Sequence, residues 1–187
     1  NSVETTDKIL WVHFDYSTEE AKDWIRNQCN NSIVADALLA DETRPRTTLL
    51  GDSLLLALRG VNLDPQSRPE NMISIRLFIS SNMIISTSRR TLLSVTEIIE
   101  ELREGTGVKS TSEFLVELTY RMIDRMDDVI DQLQDRTDYL EENIIDMKNQ
   151  EFRTEILNVR RETIILKRYL TPQKEALIKL SNEKISW

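Results

Sequence analysis

The chain has 187 residues, 40% hydrophobic and 30% charged, with only four Gly and four Pro. That length buries a real core, as one domain or a domain with an extension, and the scarcity of turn residues argues against a loop-rich all-β protein or a disordered one. The net charge of −8 argues against a nucleic-acid backbone as the main partner, because phosphate binding needs clustered Lys and Arg; divalent cations or basic surfaces suit it better.

Asn1-Ser2-Val3-Glu4 carries neither an initiating Met nor the charged-then-apolar pattern of a secretory signal. Ile9 to Tyr16 is rich in β-branched and aromatic residues and predicts a strand. Ser17-Thr18-Glu19-Glu20 predicts a Ser-x-x-Glu capping box in front of a helix over 21–28. Ser32 predicts the cap of a second helix over 33–40, which ends before Pro45.

Strands are then expected over 46–50, 53–59, 72–80 and 83–87, joined by Gly51-Asp52, by a long loop over 62–71 with Pro65 and Pro69, and by Ser81-Asn82. Ile73, Ile75, Leu77 and Ile79 alternate with Ser74, Arg76 and Phe78, the period of a sheet with one face more buried. A meander packed on helices follows. Leu92, Val95, Ile98, Ile99 and Leu102 predict a helix stopped at Glu104-Gly105-Thr106-Gly107, where the first glycine can supply a left-handed cap.

From Ser112 the pattern changes. Leu115, Met122, Val129, Leu133, Leu140, Ile144 and Met147 recur at three- and four-residue steps without Gly or Pro. Ile156, Val159, Leu166, Leu170, Leu177 and Leu180 repeat this through a second stretch, 151–186, in which Pro172 predicts a kink. A short connection near Lys148-Asn149-Gln150 makes the two helices antiparallel neighbours. The pattern is still helical near Trp187, which fits a fragment of a longer protein, and no apolar run approaches the roughly 20 residues of a membrane span.

Asp124, Asp128, Asp131, Asp135, Asp138 and Glu142 form an acidic stripe on the first long helix. Arg153, Arg160, Lys167 and Lys174, with Arg161 and Arg168 beside them, form a basic stripe on the second. Antiparallel pairing about the expected turn sets Asp138 against Arg161 and Asp131 against Arg168. As solvated flank charges such pairs contribute roughly 0.3 to 0.5 kcal/mol each. Alternatively Asp124, Asp127, Asp128, Asp131 and Asp135 attract hydrated divalent cations, since carboxylate oxygens suit hard ions; these five are the candidate metal residues.

Nothing resembles a reaction centre. His13 has no second His and no nucleophile near it in sequence, and Cys29 suits a small half-buried residue that forms no internal disulfide, consistent with a reducing cytoplasmic setting. Glu100 and Glu101 are adjacent on a helix and face different directions. Arg89 and Arg90, just before a helix, suit ordinary surface charge, with an anion or an interface as alternatives. No glycine-rich phosphate loop is present in the sequence.

The order of elements, together with Thr43-Arg44-Pro45-Arg46, Ile85-Ser86-Thr87-Ser88-Arg89-Arg90, Glu104-Gly105-Thr106-Gly107 and Arg168-Tyr169-Leu170-Thr171-Pro172-Gln173, resembles the CorA family of divalent-cation transporters, and within it the ZntB branch of zinc transporters. The resemblance implies an α+β fold: an α/β sandwich-like domain with a mixed sheet over 1–110, then two long antiparallel helices over 111–187. It implies the cytoplasmic funnel of a pentameric inner-membrane transporter, with stalk and membrane helices beyond Trp187. Zinc or another divalent cation is then the transported or regulatory ion, other copies of the chain and the membrane are the partners, and no enzyme activity is expected. Two alternatives are a magnesium-selective member of the same family and a soluble coiled-coil adaptor.

Overall fold

The computed structural model describes residues 9–29, 31–62, 67, 71–143 and 150–187. The expected proline-bearing part of the 62–71 loop, the turn near residue 149, and Ile144 and Met147 lie outside the described residues. Strands β1 (Leu10–Asp15), β2 (Arg46–Leu50), β3 (Ser53–Gly60), β4 (Ile73–Ile79) and β5 (Met83–Ser88) form one sheet in the order β1-β5-β4-β3-β2. The last four strands are an antiparallel meander, and β1 lies parallel to β5, with Leu10 opposite Met83. The mixed sheet thus arises because β1 returns to the sheet through two helices rather than a hairpin.

Both expected short links form turns. Gly51 has φ +63°, which permits the two-residue reversal between β2 and β3, and the Ser80 N–H bonds to the Met83 carbonyl at 2.9 Å across the second. The first two helix caps each shift by one residue from the expected position, α1's later and α2's earlier. Ser17 donates its N–H to Asp15 Oδ1 at 2.9 Å, so the chain is still turning there, and Thr18 Oγ1 caps α1 (Glu19–Gln28) by accepting from Ala21. Asn31, rather than Ser32, caps α2 (Ser32–Leu39), its Oδ1 accepting from Ile33 at 2.9 Å. Helix α3 (Leu93–Arg103) ends as expected at Gly105, with φ +76°.

The sheet is covered on both faces. Ile73, Ile75, Leu77 and Ile79 join Leu54, Leu56 and Leu58 in the main core with α3 and the two long helices, α4 (Thr111–Asn143) and α5 (Gln150–Asn182). On the other face Ile85 and Phe78 pack with Ile25, Val34, Ala35 and Leu38 of α1 and α2. Arg76, on the β4 face expected to be less buried, is therefore only 1% exposed.

Each 33-residue helix is about 50 Å long at 1.5 Å per residue. Their register is the expected antiparallel one: Gln173 reaches Met126, and Arg136 reaches Glu162. The expected charge zip does not form. Asp131, Asp138, Arg161 and Arg168 are all exposed, and Asp138–Arg161 and Asp131–Arg168 make no ion pairs. The seam is filled by Leu133, Leu140, Phe152 and Val159, which turns both stripes outward. Arg136, beside the seam, instead binds Glu155 and Glu162 at 2.6 Å each, so the cation stands on the first helix and the anions on the second.

Helix α5 continues through Pro172 to Asn182. It stops short of the expected 186 because the chain folds back on the β2–β3 turn: the Trp187 Nε1–H donates to the Asp52 carbonyl at 2.7 Å, and Ser186 bonds the Asp52 carboxylate.

Candidate functional site

Strand β2 begins opposite Ala57, so Arg59, two residues further along β3, faces Ser74 on one side and has no strand on the other. Gln173 of α5 fills that gap with a carboxamide that imitates a peptide group. Its Oε1 accepts from the Arg59 N–H at 2.7 Å, and its Nε2 donates to the Arg59 carbonyl at 3.0 Å. Gln173 is 3% exposed, so the clasp is dry and each half of it matters.

The Arg59 side chain then spans the space between sheet and helix. Nη1 donates to the Met72 carbonyl at 3.2 Å and Nη2 to the Thr43 carbonyl at 3.0 Å, with the guanidinium 4.5 Å from the Tyr169 ring centre. Arg76 repeats this one strand away. Its guanidinium lies 4.4 Å from the Tyr16 ring centre, and Nη2 donates to the Ala40 and Asp41 carbonyls. Burial pushes the Arg76 guanidinium pKa down, and contact with Tyr16 only partly opposes this. Arg59 Nε and Arg76 Nε and Nη1 are buried without a hydrogen-bond partner.

In front of these groups lies an open cleft of about 790 Å³. Tyr16 and Asp41, Arg168 and Tyr169 of α5, and Arg89 and Arg90, between β5 and α3, are among the residues that line it. With Arg59 this makes four arginines against one carboxylate, Asp41, among the described lining residues. Arg89, Arg90 and Arg168 are exposed and make no ion pair among the described residues. Of the four strings that carry the family resemblance, those at 43–46, 85–90 and 168–173 converge on Arg59 and this cleft, a juxtaposition that sequence spacing did not reveal.

His13 serves positioning rather than chemistry. The Ser88 hydroxyl donates to the Arg90 carbonyl at 2.8 Å and so accepts from His13 Nε2 at 3.3 Å, while Nδ1 accepts from Ser86 Oγ at 2.8 Å. Trp11 donates to the same Ser86 oxygen at 2.8 Å. Burial pushes the imidazole pKa down, keeping it neutral in a chain of bonds that ends on the Arg90 backbone. Cys29 is half-buried against the α1–α2 core, and burial pushes its thiol pKa up, away from thiolate chemistry.

Glu100 and Glu101 do diverge: Glu100 is exposed, whereas Glu101 binds Arg121 at 2.6 Å. Arg121 also holds Glu97 and Glu117, and Arg125 holds Glu97, tying α3 to α4. Burial alone would lower the Arg121 pKa, but its bonds to Glu101 and Glu117 raise it instead. Asp124, Asp127, Asp128, Asp131 and Asp135 are all exposed along α4. Among the described residues no three His, Cys, Asp or Glu side chains come together in a way that could hold a metal ion.

The family described as "CorA-like Mg2+ transporter protein" matches residues 6–187. The zinc transport protein ZntB of Pectobacterium carotovorum subsp. carotovorum is 33% identical over 186 residues, covering 99% of this chain and 57% of the relative. The divalent cation transporter CmaX of Pseudomonas aeruginosa is 38% identical over 184 residues, 97% of this chain and 55% of the relative. The crystal structure of the ZntB cytoplasmic domain from Vibrio parahaemolyticus superposes with a TM-score of 0.83 at 25% identity, over 99% of this chain and 75% of that one. The chain thus spans a little over half the length of the curated relatives it matches.

Proposed function

The chain belongs to the CorA-like family of Mg2+ transporter proteins, and from that premise we propose that it is the cytoplasmic funnel domain of a pentameric inner-membrane transporter of zinc or other divalent cations. The observation that carries this reading is the match to a ZntB cytoplasmic domain over 99% of the chain. Among the described residues no helix is long and apolar enough to cross a membrane. The role is non-enzymatic. Exposed carboxylates Asp124, Asp127, Asp128, Asp131 and Asp135 draw hydrated divalent cations toward the funnel, and rearrangement between copies of the domain gates or senses them.

A second reading has its own support. The CmaX relative, at 38% identity against 33% for the Pectobacterium ZntB, is named for divalent cations at large, which favours a broader selectivity that includes magnesium. The full-length protein, purified and reconstituted in liposomes, separates these readings. Saturable zinc entry that exceeds magnesium entry supports the zinc transporter, equal entry supports the broader one, and no divalent-cation flux overturns both.

A further inference from the structure

We infer that the arginine cleft between α5 and the sheet is a binding site for a phosphate-bearing anion with two or more phosphoryl groups, a ligand chemistry opposite in charge to the ion the domain is proposed to pass. The inference is independent of the transport reading and rests on the charges and cavity described above.

The chain as a whole is acidic, with 32 Asp and Glu against 24 Lys and Arg. Four arginines nonetheless converge on one cavity with a single described carboxylate. Two different roles are visible among them. Arg59 is partly structural, since its guanidinium ties down the Met72 and Thr43 carbonyls. Among the described residues Arg90 and Arg168 make no side-chain hydrogen bond or ion pair, and Arg89 interacts with Asp15 only through its longer-range field; yet the three come from two segments almost 80 residues apart in sequence. Like charges brought together in this way oppose folding unless an anion neutralises them.

The second observation lies behind the cleft walls. Arg76 is 1% exposed and keeps Nε and Nη1 without any partner, and Arg59 keeps Nε so. Buried guanidinium nitrogens are rarely left in that condition, because an unpaired buried donor loses its hydration and gains no bond in return. Arg76 stacks on Tyr16 and bonds the Asp41 carbonyl, and Tyr16 and Asp41 are themselves cleft walls. Its charge therefore adds to the positive field of the cavity from behind without competing for the ligand.

Chemistry selects the ligand. Guanidinium groups are planar forks that match phosphate oxygens in pairs. Several such forks facing one cavity exceed what a single monovalent anion can satisfy. The volume of about 790 Å³ lies within the usual range for small-molecule sites, about 300 to 1,000 Å³. Inorganic pyrophosphate and a nucleoside triphosphate share the required group, and they differ in whether a base also contacts Tyr16 or Tyr169. Occupancy would cross-link α5 through Arg168 to the β5–α3 connection through Arg89 and Arg90, and so brace the long helices against the sheet.

The test is isothermal titration of the 187-residue chain with pyrophosphate and, separately, with ATP, at fixed ionic strength. One variant carries Arg89→Ser, Arg90→Ser and Arg168→Ser; a matched control carries Arg153→Ser, Arg160→Ser and Arg161→Ser on the far half of α5. All six side chains are exposed and free of ion pairs among the described residues, so both variants are expected to fold. The expected result is one saturable site per chain, weakened at least tenfold in the cleft variant and less than twofold in the control. ATP binding at least tenfold tighter than pyrophosphate identifies a nucleotide site; comparable affinities identify an inorganic one. Equal weakening in both variants, or no saturable binding of either anion, overturns the inference.

Discussion

Helix α4 begins with Phe114, Leu115, Leu118 and Met122 in one core with the sheet, while near its end Leu140 clusters, among the described residues, with Leu133, Phe152 and Val159 of α4 and α5. Helix α5 mirrors it: Phe152 and Val159 lie in the far seam, while Leu177 and Leu180 pack on the main core. Near the sheet, moreover, the helices are keyed by polar bonds to backbone. Gln173 clasps Arg59, Thr47 Oγ1 donates to the Ala176 carbonyl at 2.6 Å, and Lys179 donates to the Thr47 carbonyl at 3.1 Å. The far half has one apolar seam and a half-buried ion-pair cluster. The same heptad-like period thus supports two regimes, one anchored in a second layer and one held by a single contact line, and stability should fall along the helices away from the sheet.

The largest test of that gradient is a pair of truncations. Leu118 is 0% exposed and enclosed by sheet and helices, so Leu118→Ala leaves a cavity that rigid surroundings cannot fill. A loss of about 4 kcal/mol is expected in chemical denaturation. Leu140→Ala, at a 6% exposed position between two helices that can close together, is expected to cost about 2 kcal/mol. Equal losses would show that both halves share one rigid core.

A polar pair sharpens the same contrast. Gln173→Ala orphans both the N–H and the carbonyl of Arg59 in a dry setting, an expected cost of about 2 to 3 kcal/mol. Arg136→Ala removes four hydrogen bonds to Glu155 and Glu162 from a side chain that is 38% exposed, and solvent screening holds its expected cost to about 1 kcal/mol or less. Thermal unfolding of the two variants side by side decides the order, and a larger loss for Arg136→Ala would break the comparison.

Much of the gradient's apolar side was legible in the sequence. The alternation from Ile73 to Ile79 located β4 and its core face, and Leu115, Met122, Leu133 and Leu140 marked the helix seam, because burial periodicity is a local property of the chain. The antiparallel register followed from the expected turn. What failed was the facing of the charges. Asp131, Asp138, Arg161 and Arg168 made regular stripes, but the rows next to the seam are set by which leucines meet, and Arg136, Glu155 and Glu162 stood out by no spacing of their own. Arg76 looked like an outward polar residue of an alternating strand, since nothing local announces that α1 and α2 cover that face. At the cleft, Arg89 and Arg90 were visible as a basic pair that suited ordinary surface charge, with an anion or an interface as alternatives; Arg59 and Arg168 joined them only through topology.

The smallest expected effect concerns the outer face of the far half, where Asp128, Asp131 and Asp135 stand exposed at four- and three-residue intervals. Like charges at these spacings repel by roughly 0.2 to 0.5 kcal/mol per pair. Replacing all three by Asn should therefore raise stability, by about 0.5 kcal/mol at low salt, and the gain should fade as added salt shortens the Debye length to a few ångströms. Divalent cations extend the test. If the stripe attracts them, millimolar magnesium or zinc should stabilise the unsubstituted chain more than a potassium salt of equal ionic strength does, and the triple variant should lose that excess. The same divalent-cation dependence in both proteins would exclude cation binding at these three carboxylates, leaving the outer stripe as a solvated flank whose repulsion the seam beneath it overcomes.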